Sequence, residues 1–416
     1  MQEPEPDPIT EHEDFYQNTH HLMSRLRAES PVHRTRLGGE GSGYGWLVTR
    51  YEDVKIASSA PEVGRDGDTI RRLQRAHSGP ERTAADDLED EFSWLYREVL
   101  YMDPPDHTRL RKVANKAFTP GAIGRLRPRI EQLADGLLDK ITGPGAVDLM
   151  PAVAVPLPLI VICELLGVPE HDRPDFTWWA YVLNSGVDED GALAGVYREV
   201  ADYLGELVER KRATPGDDLM SHMVRAMEAG VLSREEVISM AVLMLIAGHD
   251  TTVSLIGNGV LELLRAPDQL ALLRSDPALL PNAVEEMLRY ACPVNISATR
   301  FTREPVELGG VRVPAGELLY VSILSANRDA SQFESPDVFD INRKISGHVG
   351  FGHGIHYCLG APLARLETQI VLRGLLDRFP GLRLAVDPGT LEYRKSTLMH
   401  VPATLPVYTD RGDSGS

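Results

Sequence analysis

The chain has 416 residues, of which 43 are Lys or Arg and 61 are Asp or Glu, so its formal net charge is −18. A hydrophobic share of 43% and a charged share of 25% are typical of a globular protein and exclude wholesale disorder. The acidic balance disfavours a protein that binds nucleic acid or an anionic membrane surface. The three cysteines are too few for a disulfide framework and favour a reducing, cytoplasmic location.

No linker rich in Gly, Ser or Pro divides the chain. We therefore predict a single domain over residues 1–408 and a flexible polar tail over 409–416. The longest apolar runs, 151–163 and 237–248, are shorter than the roughly 18–20 residues that a membrane helix needs. We expect no membrane insertion.

The predicted elements begin with a glycine-rich turn at 38–43, followed by Tyr44–Thr49 as a hairpin arm. The polar segment 64–102 predicts a mobile entrance loop, and the pattern is helical from about 107 to 290. Three strand patterns and a last helix with Pro362 in its first turn complete the chain: Val306–Leu308, Val311–Val313, Leu318–Leu324 and 361–379. The fold class is therefore mostly α with a small antiparallel β portion.

The longest helix pattern starts at a capping box formed by Ser233 and Glu236 and ends at Arg265, before Pro267. Its first half is apolar nearly all round, which predicts a buried helix. Its middle, Ala247-Gly248-His249-Asp250-Thr251-Thr252, places a glycine, an acid and hydroxyls where a dry core would have none. A break of local rules inside a strong element indicates a functional site.

The second signal is Phe351-Gly352-His353-Gly354-Ile355-His356-Tyr357-Cys358-Leu359-Gly360. Its glycines let the backbone approach a flat group, and Cys358 lies just before a helix start that stabilises a thiolate. Such a thiolate is a metal ligand or a nucleophile, whereas an isolated cysteine in a tight turn would be structural. A zinc cluster is the other alternative, but its spacing fits no common zinc pattern: His348, His353, His356 and Cys358.

These ten residues resemble the haem-binding signature of the cytochromes P450, the haem-thiolate monooxygenases. Three further segments resemble family motifs in the family order: His107-Thr108-Arg109-Leu110-Arg111, the mid-helix segment 247–252, and Glu286-Met287-Leu288-Arg289. The resemblance spans the chain and implies the cytochrome P450 fold, a triangular helical body that encloses haem b. It is closest to soluble bacterial members, in particular actinobacterial hydroxylases of natural products.

Helical spacing gives the mid-helix residues distinct positions. Thr251 lies four residues after Ala247, so its hydroxyl can bond the Ala247 carbonyl and loosen the helix. Asp250 lies about 100° round the helix from Thr251, in a position to pass protons from solvent. The pair could be a surface cap, but it lies mid-helix in an apolar run, and the resemblance implies that both residues are catalytic. His249 lies on the opposite face, which favours a structural role. Glu286 and Arg289 share a helix face, either as an exposed pair or, as the resemblance implies, as a buried pair that supports the cysteine loop.

The resemblance also implies the cofactor-binding residues. Cys358 is the expected iron ligand, and four cationic side chains are expected at the two haem propionates: His107, Arg111, Arg300 and His356. Further cofactor contacts are expected at Ala247, Gly248, Phe351, Gly352 and Gly360. The substrate pocket is expected to include Leu243, Met244, Ala247, Val294, Ile296 and Leu398.

The implied function is insertion of one oxygen atom from O2 into a lipophilic small molecule, by hydroxylation or epoxidation. A secondary metabolite such as a polyketide or macrolide is the expected substrate. A non-catalytic haem protein is one alternative, but it has no use for an acid–hydroxyl pair above the iron. A peroxide-driven or rearranging haem-thiolate enzyme is the other, and the intact Asp250–Thr251 pair disfavours it.

Two charged segments suggest partners. Residues 107–130 hold seven basic residues and no acid, which fits either a helix face that balances nearby acids or a docking surface. Because the resemblance places this segment on the Cys358 side of the haem, we predict that it docks an acidic ferredoxin, itself served by a ferredoxin reductase, with Arg365 as a neighbour. The seven are Arg109, Arg111, Lys112, Lys116, Arg125, Arg127 and Arg129. Residues 81–91 hold six acids and one base, which fits a solvated loop or, alternatively, recognition of an amine-bearing substrate.

Overall fold

The computed structural model describes residues 9–12, 14–37, 44–78, 90–142, 145–185 and 192–410. Within these ranges the chain is mostly helical. The α-helices, α1 to α15, are Asp14–Gln17, Thr19–Glu29, Tyr51–Ser59, Gly67–Ser78, Asp106–Ala114, Pro120–Leu138, Pro156–Leu166, Arg173–Ser185, Ala192–Ala213, Leu219–Glu228, Arg234–Arg265, Pro267–Ser275, Leu280–Tyr290, Ile323–Ala326 and Ala361–Arg378.

The strands are short and form three small sheets in the described residues. In chain order, β1 to β10 are Val32–Arg36, Tyr44–Val48, Val63–Gly64, Ala146–Asp148, Arg300–Thr302, Val306–Leu308, Val311–Val313, Leu318–Val321, Arg383–Leu384 and Pro406–Tyr408. The sheet orders are β1-β2-β8-β5-β3, β4-β10-β9 and β6-β7. The mostly α fold with a small antiparallel β portion is confirmed. One pair, β2 with β8, runs parallel, with Trp46 opposite Leu319.

The central helix α11 has the bounds that the sequence predicts. The Ser233 hydroxyl accepts the Glu236 N–H at 3.1 Å, and the Glu236 carboxylate accepts the Ser233 N–H at 2.8 Å. These two bonds form the predicted capping box. Of the described helices, α11 alone is long and apolar enough to cross a membrane, but 72% of its apolar window is buried inside the protein. It packs against α7 and α15 as a core helix.

The cysteine loop, residues 349–360, lies where two hydrophobic cores meet. Val349 at its start belongs to the core of the β-rich region, whereas Leu363 just after it belongs to the core around α11. The 3-10 turn Gly354–His356 packs against α3 of the β-rich region. The loop is therefore held from both sides.

Three predicted boundaries differ from the structure. The strand predicted over Leu318–Leu324 ends at Val321, because the Ser322 hydroxyl caps the short helix α14 by accepting the Ser325 N–H. The predicted entrance loop 64–102 contains α4 and a 3-10 turn at Ser93–Tyr96, while its residues 79–89 lie outside the described ranges.

Residues 409 and 410 of the predicted tail 409–416 are packed against the rest of the protein. Thr409 is buried, and the Asp410 carboxylate pairs with Arg383. The Asp410 carbonyl also accepts the Gly381 N–H at 3.3 Å. Packed structure therefore continues to residue 410, and residues 411–416 lie outside the described ranges.

Candidate active site

Backbone hydrogen bonds fix the shape of the cysteine loop. The Gly352 N–H donates to the Val349 carbonyl at 2.7 Å, and the Cys358 N–H donates to the Phe351 carbonyl at 2.8 Å. Gly352 and Gly354 have φ of +76° and +78°, where any side chain would be strained. The two glycines therefore set the turn that presents Cys358.

Cys358 lies at the start of α15. Burial raises the pKa of its thiol above the ordinary value, while the N–H groups of Gly360 and Ala361 and the nearby Arg111 guanidinium oppose this shift. A coordinated metal ion removes such a proton outright. Two amide donors aimed at one sulfur therefore suit a metal-bound thiolate better than a free thiol.

Two arginines brace the cysteine loop. Arg111 donates from Nη2 to the Tyr357 carbonyl at 2.5 Å, and its Nε donates to the Asn115 side chain. Arg365 forms a two-pronged ion pair with Glu285 at 2.6 and 2.8 Å. Its guanidinium also lies 4.5 Å from the centre of the Phe351 ring. These contacts make Arg365 a brace of the loop. Its place beside the predicted docking site and the propionate contact of Arg111 both stay predictions.

The middle of α11 opens on one face. Ala247 is exposed and Leu243 and Thr251 are half-buried, although most of this helix is fully buried. The three are spaced by four residues and share one face, so this face borders an open space. The Thr251 hydroxyl donates to the Ala247 carbonyl at 2.7 Å, as the spacing predicts.

Gly248 has a packing reason for lacking a side chain. A Cβ at this position would lie 2.7 Å from the Ile162 Cδ1, so glycine lets α7 approach α11 closely. The cofactor contact expected at Gly248 stays a prediction. His249 is buried beside it and bonds the Val155 carbonyl through Nε2 at 3.1 Å. Burial lowers the pKa of His249, so a neutral imidazole with a structural role fits the site.

Asp250 is buried and bound to a cation that the sequence analysis did not find. Both carboxylate oxygens accept hydrogen bonds from Arg394 Nη2, at 2.7 and 2.6 Å. The Arg394 side chain is 38% exposed, so the pair connects a buried carboxylate to the surface. Arg394 follows Asp250 by 144 residues and lies in an irregular segment. Nothing in the local sequence marks it.

A cluster of basic side chains forms near the cysteine loop. The His107 and His356 rings lie 4.4 Å apart, and Arg300 is buried, with its Nη1 bonded to Ser297 and to the Ala298 carbonyl. Burial, Arg65 and the other cations lower the pKa of His356 to about 2. Burial and Arg65 also lower the pKa of Arg300 well below its usual range.

Part of this basic cluster has no counter-ion or partner among the described residues. In the described ranges the His107 Nε2 is buried without a partner, and no carboxylate forms an ion pair with Arg300. Burying cations without counter-ions is costly, so the cluster fits carboxylates such as the two haem propionates. The zinc alternative has no support among the described residues, since no three His, Cys, Asp or Glu side chains there could hold a metal ion.

The pair Glu286–Arg289 is fully buried, not exposed, with two contacts of 2.7 Å. Arg289 also donates to the carbonyls of Asn327, Pro336 and Val338. The Asn327 side chain in turn accepts the Val349 N–H at 2.8 Å, where the cysteine loop begins. Arg343 is a third member, missed at sequence level, and bonds Glu286 at 3.3 Å.

The expected pocket residues separate into two groups. Leu243 and Ala247 border the open face of α11, and the segments of Val294 and Leu398 lie side by side through the bridge Val294–Met399. Two others are packed in the cores instead of lining a pocket: Met244 and Ile296, 7% and 3% exposed. Met244 is turned inward because it is one residue, or about 100°, from Leu243.

A sulfur ligand for iron and cations for two carboxylates are what a haem of this type requires from a protein. The described site offers a cysteine sulfur and a basic cluster that shares the loop residue His356. The site therefore defines a haem-thiolate protein.

Comparisons with known proteins agree. Residues 190–400 match the family model for cytochrome P450. Cytochrome P450 107B1 of Saccharopolyspora erythraea is 48% identical over 405 residues, which cover 97% of this chain and 98% of that protein. The polyketide biosynthesis cytochrome P450 PksS of Bacillus subtilis is 38% identical, with 95% and 96% covered.

A solved relative gives the same result. The structure of the tirandamycin C-bound P450 monooxygenase TamI superposes with a TM-score of 0.88 at 43% identity, covering 96% of this chain and 99% of that one. The chain belongs to the cytochrome P450 family. It is a monooxygenase with haem b as its cofactor, which confirms the family, fold and activity that the sequence predicts.

Proposed function

We propose that this monooxygenase hydroxylates or epoxidises a lipophilic secondary metabolite, such as a polyketide or macrolide, in the cytoplasm. The Bacillus subtilis relative is named for polyketide biosynthesis, and TamI binds tirandamycin C. The open face of α11 carries the proposal, because Leu243 and Ala247 offer an apolar wall directly beside the Thr251 hydroxyl. An apolar substrate placed there would be held next to the proton-handling group.

Bound haem supplies the activation of O2, with Cys358 as the expected iron ligand. The Thr251 hydroxyl donates its own proton to the Ala247 carbonyl, so its oxygen lone pairs remain free to accept a hydrogen bond in the opening. Asp250, the next residue back, holds the exposed Arg394. Release of this pair would let the carboxylate take a proton from solvent and deliver it toward Thr251.

The surface-linked carboxylate favours an externally reduced enzyme over the alternatives. A peroxide-driven or rearranging enzyme needs no proton supply from solvent during O2 activation. A non-catalytic haem protein would need neither Asp250 nor Thr251. The pair Asp250–Arg394 therefore supports a role in proton delivery.

The substrate class is tested with a panel of lipophilic metabolites scored by the shift of the haem Soret band on binding. Leu243→Ala should change the affinity for a binding member, because Leu243 borders the opening. Met244→Ala is the matched control, since Met244 is 7% exposed and packed in the core. Equal effects of both variants on affinity, or binding only of polar molecules, would contradict the proposed pocket.

We further propose that the electron donor is an acidic ferredoxin, reduced by its reductase. The structure narrows the predicted docking surface, since three of the seven basic residues have carboxylate partners: Arg109 with Glu236, Arg127 with Glu131, and Arg129 with Glu164. Lys112, Lys116 and Arg125 are exposed. Ile355 and Tyr357, beside Cys358, are 52% and 42% exposed, which adds apolar area to this surface.

The ferredoxin proposal predicts a salt-sensitive reduction rate, because screening shortens the Debye length from about 10 Å at 0.1 M to about 3 Å at 1 M. Lys112→Glu with Lys116→Glu should slow reduction by an acidic ferredoxin and leave substrate binding unchanged. Lys140→Glu is the control, because Lys140 is an exposed lysine just beyond the end of α6. Reduction that ignores both salt and the double reversal would remove this surface as the docking site.

The amine-recognition hypothesis for 81–91 falls mostly outside the described ranges, which include only Asp90 and Glu91 of that segment. Asp90 pairs with Arg75, and Glu91 forms a two-pronged pair with Arg198 at 2.9 and 2.7 Å. These two acids are engaged by the protein's own cations. Their contacts favour the solvated-loop interpretation for this end of the segment.

A further inference from the structure

Arg65 is a buried cation that no sequence motif identifies. It lies between β3 and α4, and the residue is only 5% exposed. Its backbone N–H and that of Asp66 both donate to the Asp103 carboxylate, at 3.0–3.2 Å. The chain direction at this point is therefore fixed, and the Arg65 side chain is directed inward.

The Arg65 and Arg300 guanidiniums both donate to one backbone carbonyl oxygen. Arg65 Nη2 donates to the Ala298 carbonyl at 3.3 Å, and Arg300 Nη1 donates to the same carbonyl at 2.9 Å. Arg65 thus belongs to the basic cluster of His107, Arg300 and His356.

The neighbouring acids Glu98 and Asp103 oppose the effect of burial on the pKa of Arg65 but form no ion pair with it in the described residues. The Asp103 carboxylate takes the two backbone N–H groups and an ion pair with Arg303. Glu98 is buried and accepts the Leu100 N–H, and burial raises its pKa to about 8, so this carboxyl is largely protonated at neutral pH. In the described part of the chain, the Arg65 Nε has no partner and no carboxylate forms an ion pair with its guanidinium.

Two adjacent buried guanidiniums with a free donor require an anion between or beside them. We propose that Arg65 is a haem propionate ligand, acting together with Arg300, His107 and His356. The inference rests on the propionate site proposed above. It adds Arg65 to the four side chains predicted there, of which Arg111 has its observed contacts on the Tyr357 carbonyl and Asn115.

The test measures haem retention in the holoenzyme. Arg65→Met keeps the length of the side chain and removes its charge, and haem transfer to apomyoglobin gives the rate of haem loss. We expect loss to be about tenfold faster or more, the typical effect of removing one charge-assisted hydrogen bond. Arg72→Met, an exposed arginine of the adjacent α4, is the control and should leave the rate unchanged.

Haem dimethyl ester separates a propionate contact from a structural role. The ester lacks the free carboxylates. When the wild-type protein and Arg65→Met both carry the ester, they should therefore lose it at the same rate. Equal acceleration with haem and with its ester would overturn the proposal, because Arg65 would then support the fold. An unchanged rate of haem loss in Arg65→Met would also overturn the proposal. That result is expected if Arg65 binds a substrate carboxylate instead of a haem propionate.

Arg65→Lys tests the proposal if Arg65→Met does not fold into a haem-containing protein. This variant retains a charge but replaces the planar fork by a point charge. The propionate bending bands of its resonance Raman spectrum should shift while the thiolate-ligated Soret band of the reduced CO complex stays in place. Unshifted propionate bands would contradict the proposal. Neither readout depends on substrate or turnover, so failure here is distinct from failure of the proposed function.

Discussion

The cysteine loop and the basic cluster, which we propose hold one cofactor, are built in opposite ways. The loop takes its shape from consecutive residues, with two positive-φ glycines and backbone bonds inside the segment. The basic cluster takes Arg65, His107, Arg300 and His356 from four distant segments. A site formed by consecutive residues tolerates substitutions elsewhere in the chain. A site formed by distant segments depends on every packing contact that brings those segments together.

The largest expected effect is at the buried pair Glu286–Arg289, which supports the cysteine loop from another segment through Asn327. Glu286→Gln keeps the shape but leaves the Arg289 charge uncompensated in the core, which should lower the free energy of unfolding by about 3–5 kcal/mol. Urea unfolding of the holoenzyme measures this. Asp377→Asn breaks the exposed pair with Arg373 and should cost no more than about 0.5 kcal/mol. Similar losses in both variants would contradict the structural role of the buried pair.

A second prediction concerns the local contact of Thr251 with Ala247. Thr251→Ala should leave haem and substrate affinity unchanged, yet it should divert reducing equivalents from product to peroxide, because the opening loses its hydroxyl. Product and peroxide formed per NAD(P)H consumed give the measurement. Thr252→Ala is the control, since Thr252 is buried on another face. An unchanged product yield in Thr251→Ala would exclude the hydroxyl from proton delivery.

The smallest expected effect is a pH dependence at His400, outside the site. Burial and two arginines lower the pKa of His400 to about 3, so the unfolded chain binds its proton at higher pH than the folded protein does. Stability should therefore fall as the pH drops below about 6.5, by about 1.4 kcal/mol per pH unit for this residue. His400→Phe keeps the stack on Tyr393, 4.2 Å between ring centres, and should flatten the slope of unfolding free energy between pH 7 and 5. An equal slope in both proteins would refute the assignment.

The two building modes explain what the sequence could predict. Spacings of a few residues predict three features of the site from the sequence alone. They are the ends of α11, the cysteine loop and the contact of Thr251 with Ala247. Arg394, Arg65 and Arg343 reach their partners across 144, 233 and 57 residues. No local pattern encodes such contacts, because they exist only after the elements have packed.

Some corrections come from the same cause. Met244 and Ile296 satisfy the composition of a pocket wall, but the rotation of α11 and the packing of the β-rich region bury them. Arg109, Arg127 and Arg129 form a basic run in sequence, yet folding pairs each with a carboxylate of another turn or helix. Charge counted along the chain therefore overstates the charge that the surface presents.

The most direct test of the account is the absorption spectrum of the reduced, CO-bound protein with and without Cys358. The wild-type protein should show the strongly red-shifted Soret band that thiolate ligation gives, because we expect Cys358 to ligate the iron. Cys358→His should lose that band while Cys163→Ser and Cys292→Ser, which change two buried cysteines, keep it. Retention of the red-shifted band in Cys358→His would contradict the central claim that this loop supplies the iron ligand.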